Sequence, residues 1–323
     1  MEQSGHPIRT KVISRVRQIS TLTACIALVT LVCALAWAVW ERTRDPLAAI
    51  DPKSLGTTVV LDSAYRVGHR IYRNLVLCSD DLDTVRFTVS LPSDTLRPLP
   101  VIVIVGGLEI GRKSLSFVRD HGNNAVVAYE YPYGPEYWYE GASICEIPAI
   151  RSAAISVPGQ LTLLLRYVSS RRWADERRRV CFSYSFGAIF APAFLRVAQA
   201  HGDTIPYTAL IYGGADIERL LDHNLRIGSP FLRRLVAWGA ATAIHVVEPQ
   251  EHLPYLHSNF LVLTGLRDRL IPTASSKTFL EAVPEPKHII MLDTEHMHPK
   301  ALALIDTLVE ISRTWLLDRN AVE

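Results

Sequence analysis

Residues 180–190 read Val180, Cys181, Phe182, Ser183, Tyr184, Ser185, Phe186, Gly187, Ala188, Ile189 and Phe190. A short apolar run gives way to a turn made of small residues, and the turn gives way to a segment of helical spacing. The middle of the turn is Ser185. Its neighbours two positions away on either side, Ser183 and Gly187, are small. A serine thrust out of a tight strand-to-helix turn needs that, because bulk at either position would collide with the turn. A helix beginning just after Ser185 also favours negative charge there, and it offers the Phe186 amide to a developing oxyanion. Pro192 lies inside the helical stretch, where it removes one hydrogen bond and predicts a kink.

Outward from this turn, buried runs alternate with amphipathic segments. Val101–Val105, Ala125–Tyr129, Val180–Phe182, Ala209–Tyr212, Phe260–Thr264 and His288–Leu292 read as strands covered on both faces. Leu161–Tyr167, Ala188–Ala198, Ser275–Ala282 and Ala301–Leu317 have helical spacing. The alternation predicts an α/β fold, a mostly parallel sheet flanked by helices. Ahead of it, Ser63–Cys78 and Thr84–Leu91 read as an antiparallel pair joined through Asp80, Asp81 and Asp83. The interval of about 216–257, with Leu232, Leu235, Val236 and Trp238, breaks the alternation and reads as a small helical cap between two strands.

The order of these motifs resembles the α/β-hydrolase family from Thr57 to the carboxyl terminus. Ser183-Tyr184-Ser185-Phe186-Gly187 stands where that family has G-x-S-x-G, with Ser183 in place of the first glycine. The resemblance implies roles for further residues. The turn Gly106-Gly107-Leu108 after the Val101–Val105 run is similar to the family's oxyanion loop, which makes the Leu108 amide a second donor beside Phe186. Gly265-Leu266-Arg267-Asp268-Arg269-Leu270-Ile271-Pro272 is similar to its G-x-x-D-x-x-[IV]-P segment and nominates Asp268 as the acid. His296 falls at the place of the catalytic histidine, with His298 as the alternative base. The chain order Ser, Asp, His is the one this fold uses. Together these imply a serine hydrolase acting on a small-molecule ester, thioester or other acyl substrate without a cofactor. Two other readings stay open: an inactive hydrolase-fold protein that binds a ligand at the membrane, and an acyltransferase.

The amino terminus carries a different signal. Ile19 to Trp40 has no charged residue and matches the roughly 20 residues a helix needs to cross hydrocarbon. Arg9, Lys11, Arg15 and Arg17 precede it and Arg42 and Arg44 follow. The basic bias places the terminus inside, and hence the large domain outside the cytoplasm, as a periplasmic or extracellular body. The reading is a basic segment at 1–18, a membrane anchor at 19–40, a linker at 41–56 carrying Pro46 and Pro52, and a hydrolase domain at 57–323. A cleaved signal ending near Ala34-Leu35-Ala36 is the competing reading, disfavoured by the length of the apolar run.

The 323 residues are 49% hydrophobic with a formal net charge of +2, far from the basic excess of a nucleic-acid binder. Five cysteines do not make a disulfide scaffold in a chain this long. For Cys78, Cys145 and Cys181, separate buried thiols are expected, with a Cys78–Cys145 bridge as the alternative. Tyr129, Tyr131, Tyr133, Tyr137, Trp138 and Tyr139 form an aromatic group that either lines a substrate pocket or packs within the domain. Arg171, Arg172 and Arg177–Arg179 read as a solvated, membrane-proximal face, and no metal-ligand spacing is evident.

Overall fold

The computed structural model describes residues 6–94, 97–107, 110–132 and 146–323, with side chains from residue 20 onward. It consists of two compact units, Met1–Arg44 and Asp45–Glu323. Among the described residues the first holds one helix, α1 (His6–Thr43). Its stretch Ser20–Thr43 has a mean hydropathy of 2.4 and is long and apolar enough to cross a bilayer. Two of its hydroxyls are used within the helix: Thr30 Oγ1 donates to Ile26 O and Thr43 Oγ1 to Val39 O, which is how a polar side chain is satisfied without water.

The second unit runs α2 (Pro46–Ile50), β1 (Thr58–Val67), β2 (Arg70–Ser79), β3 (Asp83–Pro92), β4 (Leu99–Val105), β5 (Ala125–Glu130), α3 (Ile147–Ser169), β6 (Ala174–Tyr184), α4 (Phe186–Ala200) and β7 (Tyr207–Ile211). It continues through α5 (Ile217–Asn224), α6 (Pro230–Ala243), α7 (Pro249–His252), β8 (Asn259–Gly265), α8 (Thr273–Ala282), β9 (Lys287–Leu292) and α9 (Leu302–Leu317). Nine strands form one sheet in the order β1-β2-β3-β5-β4-β6-β7-β8-β9. Pairings from β1 to β5 are antiparallel along the series β1, β2, β3, β5, and every pairing from β5 through β4 to β9 is parallel.

The period of two along each parallel strand divides the core into two layers. Val101, Val103, Val105, Cys181, Leu210, Phe260 and Val262 face the layer built with α3 and α4. Ile104, Val180, Tyr184, Ala209, Ile211, Leu261 and Leu263 face the layer closed by Leu308, Trp315 and Leu316 of α9. Strands covered on both faces need apolar residues at every position, which is why these runs are continuous in the sequence.

Several expectations change. Ser63–Cys78 is not one strand but parts of two: the chain turns at Gly68, where φ is +56°, and β1 and β2 pair as a hairpin, Val67 opposite Arg70. Within the stretch read as a linker, Pro46–Ile50 is helical, with Asp45 capping Leu47 N and Ile50 buried in the core. The expectation of a buried Cys78 fails, since its thiol is free and exposed; Cys145 lies outside the described residues. Nor are the arginines a uniformly solvated face. Arg178 bonds Asp175 at 2.7 Å and Glu323 at 2.6 Å, and Arg179 is buried.

Between β7 and β8 the chain forms α5, α6 and α7. Asp216 caps α5 by accepting from Arg219 N, and Ser229 caps α6 by accepting from Leu232 N. The sheet order reverses around β4, whose partners are β5 on one side and β6 on the other. In a parallel sheet that reversal opens a crevice at the carboxyl ends of the strands.

Candidate active site

The crevice receives the turn after β6. Ser185 has φ +53° and ψ −123°, a region costly for any residue with a Cβ and held only where surrounding bonds enforce it. They do so here: Ser185 N donates to Ile211 O at 2.8 Å, and Ala188 N donates to Ser185 O at 2.9 Å. The small-residue requirement at Gly187 has a definite cause, because a Cβ there would lie 2.0 Å from Val105 O. Ser183 is fully buried, and its hydroxyl donates to Ala209 O on β7 at 3.1 Å. A serine is tolerated in the glycine position because the neighbouring strand accepts its one donor.

Asp268 stands three residues beyond β8 and His296 four beyond β9, so both enter the crevice from strand ends. Ser185 Oγ lies 2.8 Å from His296 Nε2, and His296 Nδ1 lies 2.7 Å from Asp268 Oδ2. The other carboxylate oxygen, Oδ1, accepts from Leu270 N at 2.8 Å and Ile271 N at 2.9 Å. Those two amides fix the carboxylate plane, so that one oxygen is committed to the loop and one to the imidazole. The side chains of His296 and Asp268 are 10% and 3% exposed. His298 is exposed and turned to its own loop, its Nδ1 accepting from Lys300 N at 3.1 Å. Of the two histidines, His296 is the one brought against Ser185.

Phe186 starts α4 immediately after Ser185. Leu108, the other expected amide, lies outside the described residues. The glycines before it are braced by two tyrosines: Tyr131, expected only as one of an aromatic group, and Tyr184, for which the sequence suggested no role. Tyr131 Oη donates to Gly106 O at 2.7 Å, and Tyr184 Oη lies 2.8 Å from Ser114 Oγ. A Cβ on Gly106 would meet Ser114 Oγ at 2.5 Å, so the turn can sit this close to its braces only as glycine. Tyr131 is also buried edge-on against Phe186, with ring centroids 5.4 Å apart. Tyr129 is core, its phenol donating to Gln160 Oε1 at 2.6 Å. Neither tyrosine is a solvent-facing pocket wall, and Tyr133, Tyr137, Trp138 and Tyr139 fall outside the described residues. Among the described residues no group of His, Cys, Asp or Glu is arranged to hold a metal ion.

The architecture has many solved counterparts. Acetyl xylan esterase 1 from Thermoanaerobacterium sp. superposes with a TM-score of 0.60 at 14% identity, over 86% of this chain and 93% of that one. An acetyl xylan esterase from Paenibacillus sp. R4 gives 0.60 at 16% identity, over 86% and 93%. The chain has the α/β-hydrolase fold. A cold-adapted esterase from an Arctic intertidal metagenomic library gives 0.51 at 13% identity, over 76% of this chain and 96% of that one. No family model and no curated protein matches the sequence. At these identities the likeness is one of fold, and the strands of that fold deliver Ser185, Asp268 and His296 to the same crevice.

Proposed function

We propose that this protein is a serine hydrolase that cleaves a carboxylic ester or thioester through an acyl-enzyme intermediate. The carrying observation is the continuous contact from Ser185 Oγ through the His296 ring to Asp268. With its Nδ1 proton donated to Asp268, the imidazole keeps Nε2 as an acceptor for the serine proton. Ser185 Oγ attacks the acyl carbon as His296 takes that proton, and Asp268 stabilises the imidazolium. The Phe186 amide, with Leu108 as the second donor, holds the oxyanion. His296 then returns its proton to the departing alcohol or thiol. Water, deprotonated by the same imidazole, attacks the acyl-serine and releases the acid and free Ser185. The similar folds named above are esterases, which supports an ester as the substrate class.

In this reading residues 19–40 anchor the chain in a membrane, 41–56 connect, and 57–323 form the hydrolase domain outside the cytoplasm. Labelling of the detergent-solubilised chain by a fluorophosphonate probe tests the chemistry. Wild type and His298→Ala are expected to label, and Ser185→Ala and His296→Ala are not. Folded wild type that stays unlabelled overturns the hydrolase and leaves a binding protein, while acyl transfer to an added alcohol in preference to water replaces it with an acyltransferase.

A further inference from the structure

Helix α6 is turned inside out for a globular domain. Ala237, Ala241, Thr242 and Ala243 face inward, whereas Phe231, 78% exposed, and Leu232, Leu235 and Val236 face solvent. Single exposed apolar residues are ordinary, but a strip of four large ones on one helix marks a surface that meets something. A second exposed pair adjoins it: Leu266, 63% exposed, and Leu270, on the loop that carries Asp268. The end of α5 holds the two groups side by side. Asp222 Oδ1 accepts from Arg233 Nε at 2.8 Å; in the next two residues, His223 Nε2 lies 2.8 Å from Arg269 O and Asn224 Nδ2 donates to Leu270 O at 2.8 Å.

The residues around this strip say what it meets. Arg226, Arg234 and Arg269 are exposed beside it. An apolar face bordered by arginines matches the acyl chains and anionic headgroups of a lipid surface. The connection to the rest of the chain points the same way. The apolar stretch of α1 ends at Thr43, three residues before the start of α2, and α2 packs against His245–Val247, the turn that directly follows α6. The chain therefore enters the domain beside the end of α6, and an α1 held in a bilayer keeps that helix at high effective concentration over the lipid.

We infer that the α6 strip and the Leu266–Leu270 loop dock on an anionic lipid surface, which puts the loop holding Asp268 at the interface. The inference rests on α1 being a membrane anchor and is independent of the hydrolase chemistry. Hydrogen–deuterium exchange on the full chain tests it in nanodiscs of phosphatidylcholine alone and of phosphatidylcholine with phosphatidylglycerol. Amides of Phe231–Ala243 and Leu266–Leu270 are expected to exchange about fivefold more slowly in the anionic discs, as amides closed by a contact do. The slowing is expected to vanish in the double variant Phe231→Gln, Leu235→Gln, whose thermal melt, with both positions exposed, stays that of wild type.

Equal exchange in the two discs, or slowing that survives in the double variant, overturns the docking. Slowing that follows the number of copies per disc and ignores lipid charge assigns the face to a second copy and overturns it too. Flotation with vesicles reports on α1 alone, and a wild type that fails to float removes the anchor and the docking with it. Loss of fluorophosphonate labelling with the slowing intact sinks the hydrolase and leaves the docking standing.

Discussion

The rings of Tyr212 and His296 pack with centroids 5.2 Å apart and planes inclined at 69°, and Tyr212 Oη lies 2.6 Å from Thr294 Oγ1, two residues before the histidine. Tyr212 directly follows β7 and has φ +53°, a conformation a bulky residue holds only under constraint. On its other side a Cβ on Gly265 would come within 2.7 Å of the ring. The tyrosine is thus wedged with its ring against the imidazole that lies beside Ser185 Oγ. Tyr212→Phe removes one hydrogen bond worth about 1 kcal/mol, and a fall in kcat of about fivefold is expected. Tyr212→Ala frees the imidazole altogether, and a fall of about 100-fold is expected. KM for a p-nitrophenyl ester should stay within about twofold in both, because Tyr212 orients His296 and does not bind the acyl group. A change confined to KM would make Tyr212 a substrate contact.

The two halves of the Asp268 carboxylate have separate tasks, and an amide cannot perform both. In Asp268→Asn the side-chain oxygen can still accept from Leu270 N and Ile271 N, which leaves the NH₂ group facing His296 Nδ1. That donor would drive the imidazole to the tautomer protonated on Nε2, unable to accept from Ser185. Loss of kcat by about 10³- to 10⁴-fold is expected, with the melting temperature nearly unchanged. A variant within tenfold of wild type would remove Asp268 from the relay.

Much of this arrangement was legible in the residue order, for identifiable reasons. Val180, Cys181 and Phe260–Thr264 are buried and Phe182 is half-buried, so no polar residue interrupts the apolar runs. The hairpin of β1 and β2 was not legible, because Gly68 and His69 make a turn inside an alternation that continues with the same period on either side. Helix α3 starts at Ile147, far ahead of the expected Leu161, because Pro158 and Gly159 interrupt its pattern. The structure shows the reason for the small residue: a Cβ on Gly159 would come within 2.8 Å of Leu82. Tyr212 and Thr294 left no trace, since an aromatic residue closing a buried strand reads as core, and its value lies in a contact across 84 residues to His296 that no local pattern encodes.

The close approach of α4 to β4 gives a stability prediction separate from chemistry. Gly187→Ala sets a methyl carbon 2.0 Å from Val105 O and 2.7 Å from Gly106 O, both main-chain atoms that cannot swing aside. Overpacking of this kind costs about 3 kcal/mol or more, and a lowered melting temperature with much reduced soluble yield is expected. Ser183→Gly, by contrast, returns the turn to a pure glycine frame and loses one hydroxyl bond to Ala209 O, about 1 kcal/mol. Thermal melts of the two variants side by side should differ in that order. A Gly187→Ala protein as stable as wild type would mean that α4 can slide away from β4.

Two buried histidines away from the crevice set the acid limit of stability. Burial lowers both His121 and His252 from 6.5 to about 4. Each is placed as a neutral ring: His121 Nε2 donates to Leu115 O while its Nδ1 faces Ser90 Oγ, and His252 Nε2 donates to Val246 O. In the unfolded chain they take up protons near pH 6.5, but in the folded one only near pH 4. The unfolded state therefore binds more protons between those values, and stability present above pH 6.5 is lost as the pH falls through that window, up to about 3 kcal/mol per histidine. Glu248 works in the opposite direction. Burial raises it from 4.5 to about 6 even though Asp216 N and Ile217 N donate to its carboxylate, so its contribution is present in acid and lost as the pH rises from 4.5 through 6. The two histidines together outweigh it, and the melting temperature of the detergent-solubilised chain should fall steadily from pH 6.5 to 4. His121→Gln and His252→Gln should each flatten that slope, and Glu248→Gln should steepen it between pH 4.5 and 6. A wild-type melting temperature that holds level across the window would show that both rings accept protons in place, which requires the Ser90 and Val246 sites to rearrange without unfolding.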